Sequence, residues 1–199
     1  MRTDVAAEFG LDPAITHLNH GAFGCAPAQV RAAQRGWQER AEANPHRFNR
    51  VELPALIARA RAAATDFLGV EDGAGALVRN VSEGISAVLA SLDLRDGDEV
   101  VVNNHGYGAV RIAVQHWVAR RGARLVESRF DLGAPETDVV AAYASCVTSR
   151  TRLVIVDHVT SPTATVLPVA AVARAVDAPV LVDAAHVPGA LRTDIAGLG

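Results

Sequence analysis

Apolar positions along the chain follow two rhythms, and the change between them comes after Gly75. Upstream, the spacing is helical. Val30, Ala33, Trp37 and Ala41 predict a helix that opens at Pro27 and stops at Asn44-Pro45. Leu56, Ile57, Ala60, Ala63, Ala64, Phe67 and Leu68 form one stripe of a second helix, opening near Pro54 and stopping at Gly69. Residues 1–24, punctuated by Gly10, Pro13, Gly21 and Gly24, read as an extended arm. Downstream, the apolar runs at 76–78, 100–102, 124–127, 153–156 and 180–182 predict five strands. Amphipathic stretches at 81–92, 107–121, 135–147 and 169–176 predict the helices between them. This alternation implies an α/β fold, with a mostly parallel sheet and helices on both faces.

Open parallel sheets bind ligands beyond the carboxyl ends of their strands. Polar clusters follow four of the five runs: Asn80-Val81-Ser82-Glu83-Gly84, Asn103-Asn104-His105-Gly106-Tyr107, Asp157-His158-Val159-Thr160-Ser161 and Asp183-Ala184-Ala185-His186. Each has a plain reading, because chains turn at strand ends. Asn80-x-x-Glu83 has capping-box spacing, so it is either a simple helix cap or an anion site at a helix start, with Ser82 and a close approach at Gly84. Asp183, after an apolar strand, needs an arginine, a backbone donor or a protonated ligand nitrogen. His186 would point into the same crevice. Either His105 or Tyr107 can stack on a flat ring. Thr160 and Ser161 offer hydroxyls, or merely a turn before Pro162. Together the clusters describe a pocket for a phosphorylated aromatic ring.

Composition removes competing classes. Half the residues are apolar and the net charge is −3, with no block of like charge, so neither disorder nor a nucleic-acid partner is expected. No apolar run approaches the ~18 residues of a membrane span. The first residues, Met1 to Asp4, lead into no signal-type stretch, so a cytoplasmic protein without a membrane partner is the default expectation. Cys25 and Cys146 make no disulfide framework, and His17-x-x-His20 with Cys25 lacks a fourth metal ligand. No G-x-G-x-x-G turn follows the first strand and no G-x-S-x-G elbow is present, which counts against a nucleotide oxidoreductase or a serine hydrolase. All 19 basic residues are arginine. A P-loop, which needs its lysine, is excluded.

The motifs Asn80-Val81-Ser82-Glu83-Gly84-Ile85, Asp157-His158-Val159-Thr160-Ser161-Pro162-Thr163 and Asp183-Ala184-Ala185-His186-Val187-Pro188-Gly189 resemble those of class V aminotransferases. These are fold-type I enzymes that use pyridoxal 5′-phosphate (PLP). Leu18-Asn19-His20-Gly21-Ala22-Phe23-Gly24 is similar to the arm of the isopenicillin N epimerase-like branch. The resemblance implies that Ser82, with the Val81 and Ser82 amides, holds the phosphate. It implies that Tyr107 stacks on the pyridine ring, with His105 as its rival, and that Asp183 pairs with the ring nitrogen. His186 and Ser161 would approach the ring hydroxyl, while Asn19 and His20 would lie near an amino acid substrate. Arg47 and Arg50 are either a carboxylate clamp or a solvated helix end.

In that family a Schiff-base lysine lies ~23 residues after the Asp-x-x-His pair, beyond Gly199. Members are also about twice this length. The expectation is therefore an arm and helix at 1–50, then an incomplete PLP-binding large domain at 51–199, without the carboxyl-terminal small domain. The family forms homodimers, so one is implied for the full-length chain. Two functions stay open: a PLP enzyme of epimerase, C–S lyase or aminotransferase type, or a non-catalytic fragment that binds PLP without turnover.

Overall fold

The computed structural model describes residues 5–71, 73–192, 195 and 198, so the expectations at Met1 to Asp4 and at Gly199 lie outside the described residues. The chain forms two compact units, 1–63 and 64–199, whose division falls inside a helix.

In the first unit the arm is not extended throughout. Val5–Glu8 makes a 3₁₀ turn, and backbone hydrogen bonds close further turns at Ile15 and Phe23. Helix α1 (Ala28–Ala43) starts directly after Pro27. Asn44 then interrupts it and caps a helical turn, α2 (Pro45–Arg47), by accepting the Arg47 N–H at 3.0 Å. A π-helical segment, Phe48–Glu52, carries the chain into α3 (Leu53–Leu68). Pro45 is tolerated there because the first turn of a helix needs no donor from it.

The second unit holds α4 (Val81–Ser91), β1 (Glu99–Asn103), α5 (Gly108–Arg121), β2 (Arg124–Ser128), α6 (Glu136–Cys146), β3 (Thr151–Asp157), α7 (Val169–Ala175) and β4 (Val180–Asp183). The sheet order is β2-β1-β3-β4, and every pair is parallel. Alternating strand residues divide the core in two. Val100, Val102, Leu153 and Ile155 share one buried cluster with Ile85 and Leu89 of α4 and Val110, Val114 and Val118 of α5. Val101, Val154 and Val156 share the other with Val139 and Tyr143 of α6 and Val169 and Val172 of α7. The i, i+4 spacing in α4, α5 and α6 is what lets each present one face to the sheet. Gly122 ends α5 with φ +68°, where the Ala123 N–H reaches the Val118 carbonyl at 3.0 Å.

One predicted strand is not formed. Residues 76–78 pair with no strand among the described residues, and Leu77 and Val78 are 54% and 52% exposed. An apolar run becomes a strand only where a neighbouring backbone accepts and donates its hydrogen bonds, and among the described residues none pairs with this one. The sheet therefore has four strands where five are predicted.

Candidate active site at the carboxyl edge of the sheet

Strand order fixes where a ligand site belongs. β2 follows β1 on one side and β3 returns to its other side, so the order reverses between β1 and β3. At such a switch point the crossover helices leave on opposite faces and open a crevice at the strand ends. α5 and α6 do lie in the two different core clusters.

Asn103 ends β1, Asp157 ends β3 and Asp183 ends β4, and all three are buried. Asp157 and Asp183 are register partners, so their carboxylates sit side by side. Asp183 is 5% exposed, and the hydrogen bond to its carboxylate comes from the Ala185 N–H to Oδ1 at 3.1 Å. Among the described residues no arginine pairs with it, so the backbone cap is the partner the fold supplies. Leu181, two residues earlier, packs against the α4/α5 cluster. Strand alternation puts Asp183 on that same face.

α4 leads through residues 92–98 into the amino end of β1 and packs on the sheet by Ile85 and Leu89. Its N-terminus therefore faces the carboxyl edge, on the face that carries Asp183. Asn80 caps it, accepting the Glu83 N–H at 2.9 Å. The capping box closes one residue early: Glu83 reaches back to the Arg79 N–H at 2.7 Å rather than to Asn80. The Arg79 guanidinium and amide hold the Glu83 carboxyl below the usual carboxylate range. Among the described residues no acceptor takes the Val81 or Ser82 amide, nor the Ser82 hydroxyl. That leaves two N–H groups and a hydroxyl at the positive end of a helix dipole, a set that suits a phosphate. A Cβ at position 84 would meet only Val78 Cγ2 among the described residues, at an ordinary 3.5 Å, so the protein itself does not require glycine there.

The rivalry after β1 has a structural basis. The His105 ring nitrogen Nε2 lies 2.9 Å from the Phe130 carbonyl, and its ring centroid is 5.0 Å from that of Phe130. His105 is thus engaged with the loop after β2. Tyr107 is tied down only by its backbone, which donates to Asp157 Oδ1 at 3.3 Å, while the residue stays 42% exposed. Its ring is the one left open to a ligand. Ser161 is half-buried beside a tight turn in which Thr160 and Thr163 share a hydroxyl contact of 2.6 Å. Ala164 in that turn has φ +52°, a left-handed conformation that costs a residue with a Cβ. His186 is half-buried in the turn after Asp183.

Asn19 and His20 belong to the first unit. Asn19 Oδ1 accepts the Ala22 N–H at 3.1 Å, and His20 meets His17 edge-on at 4.4 Å; both residues are exposed. Arg47 there pairs with Glu52 at 3.0 Å, whereas Arg50 is exposed on the π-helical segment.

Sequence reasoning named Asn103, Asp157 and His158 inside its clusters but gave them no part. All three are buried. His158 Nδ1 has no hydrogen-bond partner among the described residues, and burial pushes the imidazole pKa down. A signal for Asp157 was present: Val154-Ile155-Val156-Asp157 repeats the pattern of Val180-Leu181-Val182-Asp183. A cavity of about 240 Å³, lined by His105, Phe130, Val139, Thr160 and Leu167, opens on the α6/α7 side and is separate from the face that carries Asp183.

Known proteins resemble the chain in sequence and in fold. A putative L-cysteine desulfhydrase 2 from Oryza sativa subsp. japonica is 33% identical over 98% of this chain and 45% of its own length. An isopenicillin N epimerase from Streptomyces clavuligerus is 31% identical over 93% of this chain and 48% of its own. The chain thus spans about half the length of the curated relatives it matches. Among solved structures, a mutant of C-DES with glycine covalently linked to the PLP cofactor superposes with a TM-score of 0.82 at 27% identity, over 92% of this chain and 50% of that one. A cysteine desulfurase from Escherichia coli, 22% identical with a TM-score of 0.77 over 96% of this chain and 50% of its own, shares the fold. The aminotransferase class V family matches residues 18–199, and the chain belongs to that family.

Proposed function

We propose that residues 51–199 form part of the PLP-binding large domain of an enzyme acting on an amino acid, of C–S lyase, epimerase or aminotransferase type. The family and its PLP-linked structural relatives indicate pyridoxal 5′-phosphate as the cofactor. One observation carries the reading: a buried Asp183 without a cation shares an edge and a face with the unclaimed amides of Val81 and Ser82. When bound, PLP supplies an electron sink for a substrate carbanion. The protein's part is to bind and orient it. Ser82 and the two amides hold the phosphate, Tyr107 covers one face of the ring, and Asp183 keeps the ring nitrogen protonated. Ser161 and His186 meet the ring hydroxyl, with His105 supporting the turn beside Tyr107. Asn19 and His20 serve the substrate. The desulfhydrase and epimerase relatives favour lyase and epimerase chemistry over transamination.

The absence of lysine favours a second reading for these residues taken alone, binding without turnover. A covalent link to PLP needs a primary amine, which without lysine only the amino terminus offers, and the proton transfer that a lysine performs in this chemistry has no amine in the motifs to carry it. A homodimer is part of the proposal, supported by the exposed Val30 and Trp37 on α1. The test is to titrate the 199-residue chain with PLP, reduce with borohydride and map the peptides. Saturable binding with no labelled residue supports the reading. Stoichiometric labelling, or repeated turnover of an amino acid, would falsify the binding-only form. No binding at all would remove PLP.

A further inference from the structure

Asp157 has no part in the roles above, yet the carboxyl edge converges on it. Its Oδ2 accepts the Asn103 Nδ2–H at 2.7 Å, and its Oδ1 accepts the Tyr107 N–H at 3.3 Å. Asn103 cannot turn its amide round, because its Oδ1 already accepts the His105 N–H at 2.8 Å. The donors therefore run in one direction, from His105 to Asn103 to Asp157, and Tyr107 closes the ring of contacts from the other side. Gly106 lies over the carboxylate. A Cβ there would stand 3.2 Å from Asp157 Oδ2 and 3.4 Å from the Asn103 carbonyl, so the turn is moulded on this side chain.

A turn by itself does not call for a carboxylate. Asp157 is 5% exposed and, among the described residues, receives only uncharged donors, which leave the burial of its charge uncompensated by any cation. Burial pushes its carboxyl above the ordinary range, and Asp183 adds to the push, while the Asn103 amide acts against it. The titratable groups that face it are Asp183 from β4 and the Tyr143 hydroxyl from α6. Two adjacent acids without a cation push each other's carboxyl upward, and a positive charge beside them would relieve both. They also stand at the switch point, with Asp157 joining the ends of β1 and β3.

We propose that Asp157 is a positioning residue for the cofactor ring: it fixes Tyr107 over the ring and reinforces Asp183 in holding the ring nitrogen protonated. The proposal rests on the cofactor reading above, with Asp183 as the direct partner. Replacing the carboxyl at 157 should loosen the ring twice, by freeing the Tyr107 turn and by removing the second acid from beside the nitrogen.

Pyridoxamine 5′-phosphate is a suitable probe because its binding needs no lysine. With the ring nitrogen labelled with ¹⁵N, its chemical shift reports whether that nitrogen carries a proton. The 199-residue chain should bind it with the nitrogen protonated at pH 8. Asp157→Asn should bind about tenfold or more weakly and move the nitrogen toward its unprotonated shift. Asp157→Glu keeps the charge and displaces the turn, so it should weaken binding while leaving the shift in place. If Asp157→Asn does not fold, as circular dichroism would show, Asp157→Glu alone decides the matter. Wild-type affinity and shift in Asp157→Asn, or wild-type affinity in Asp157→Glu, would overturn the proposal. A wild-type chain that binds no probe would instead take down the cofactor reading, and this inference with it.

Discussion

The two ends of the sheet handle buried acids in opposite ways. At the amino edge, Asp98 accepts the Arg152 guanidinium and the Arg95 N–H, both at 2.8 Å. Glu99 beside it accepts Arg124 at 2.7 Å and the Thr148 hydroxyl at 2.6 Å. Each acid has a cation, and both carboxyls are held below their ordinary range: Asp98 by the Arg95 amide foremost, Glu99 by the Thr148 hydroxyl. At the carboxyl edge, Asp157 and Asp183 receive amide donors and, among the described residues, no cation. The first edge is finished as it stands. The second keeps a charge deficit that a positively charged ligand would fill, and it is the edge to which the family motifs map.

The largest test of this contrast is a pair of substitutions. Glu99→Ala strips the partner from Thr148 and Arg124 and should lower the unfolding free energy by about 1.5–3 kcal/mol in urea. Asp183→Asn keeps an acceptor for the Ala185 N–H and should change it by less than about 0.5 kcal/mol. A similar cost at both positions would make the carboxyl edge structural as well.

Acid and base limbs of stability come next. Asp98 and Glu99 have depressed folded-state pKa values, so their contribution is present above the unfolded carboxylate range and is lost as pH falls below about 4. Asp157 has a raised one, so its contribution is complete below about 4 and is lost as pH rises through the folded value. Glu99→Gln should flatten only the acid limb, and Asp157→Asn only the limb above it. Unfolding free energies from pH 3 to 8 would show this, and a single limb flattened by both variants would erase the distinction.

Tyr107→Ala removes an exposed ring and should shift stability by no more than about 0.5 kcal/mol, yet abolish most pyridoxamine 5′-phosphate binding. Unchanged binding would hand the stacking role back to His105. The smallest effect belongs to Ala164→Gly, which relieves a left-handed alanine and should stabilise the chain by a few tenths of a kcal/mol, about the net of strain relief and lost backbone restriction. A loss of stability would mean that the Ala164 methyl group packs usefully.

Most of the second unit was legible from periodicity. Val110, Val114 and Val118, or Ile85 and Leu89, repeat at helical spacing because one face of a helix must meet the sheet, and that demand is written locally. Runs such as Val100, Val101 and Val102 are apolar throughout because both faces of a parallel strand are covered. Asp183 stood out for the same reason, as a polar residue directly after such a run, Tyr107 as part of the polar cluster that follows another, and Ser82 by its place at a capped helix start. The arm was less legible. Its turns come from hydrogen bonds such as Phe23 N–H to the Asn19 carbonyl, which leave no period in the sequence.

What sequence alone determined, then, was which segments form elements, which faces they bury and which residues end the strands, since each depends on near neighbours along the chain. Tertiary structure decided the rest. It withheld a strand at 76–78, because strand formation needs a partner backbone that no local pattern can supply. It engaged His105 with Phe130, 25 positions away, and so left Tyr107 open. It also brought Asn103 within 2.7 Å of Asp157 across 54 positions, turning an ordinary strand-end acid into the anchor of the turn that carries Tyr107. Such contacts rest on strand order and register, which follow from how the whole sheet packs between its two layers of helices.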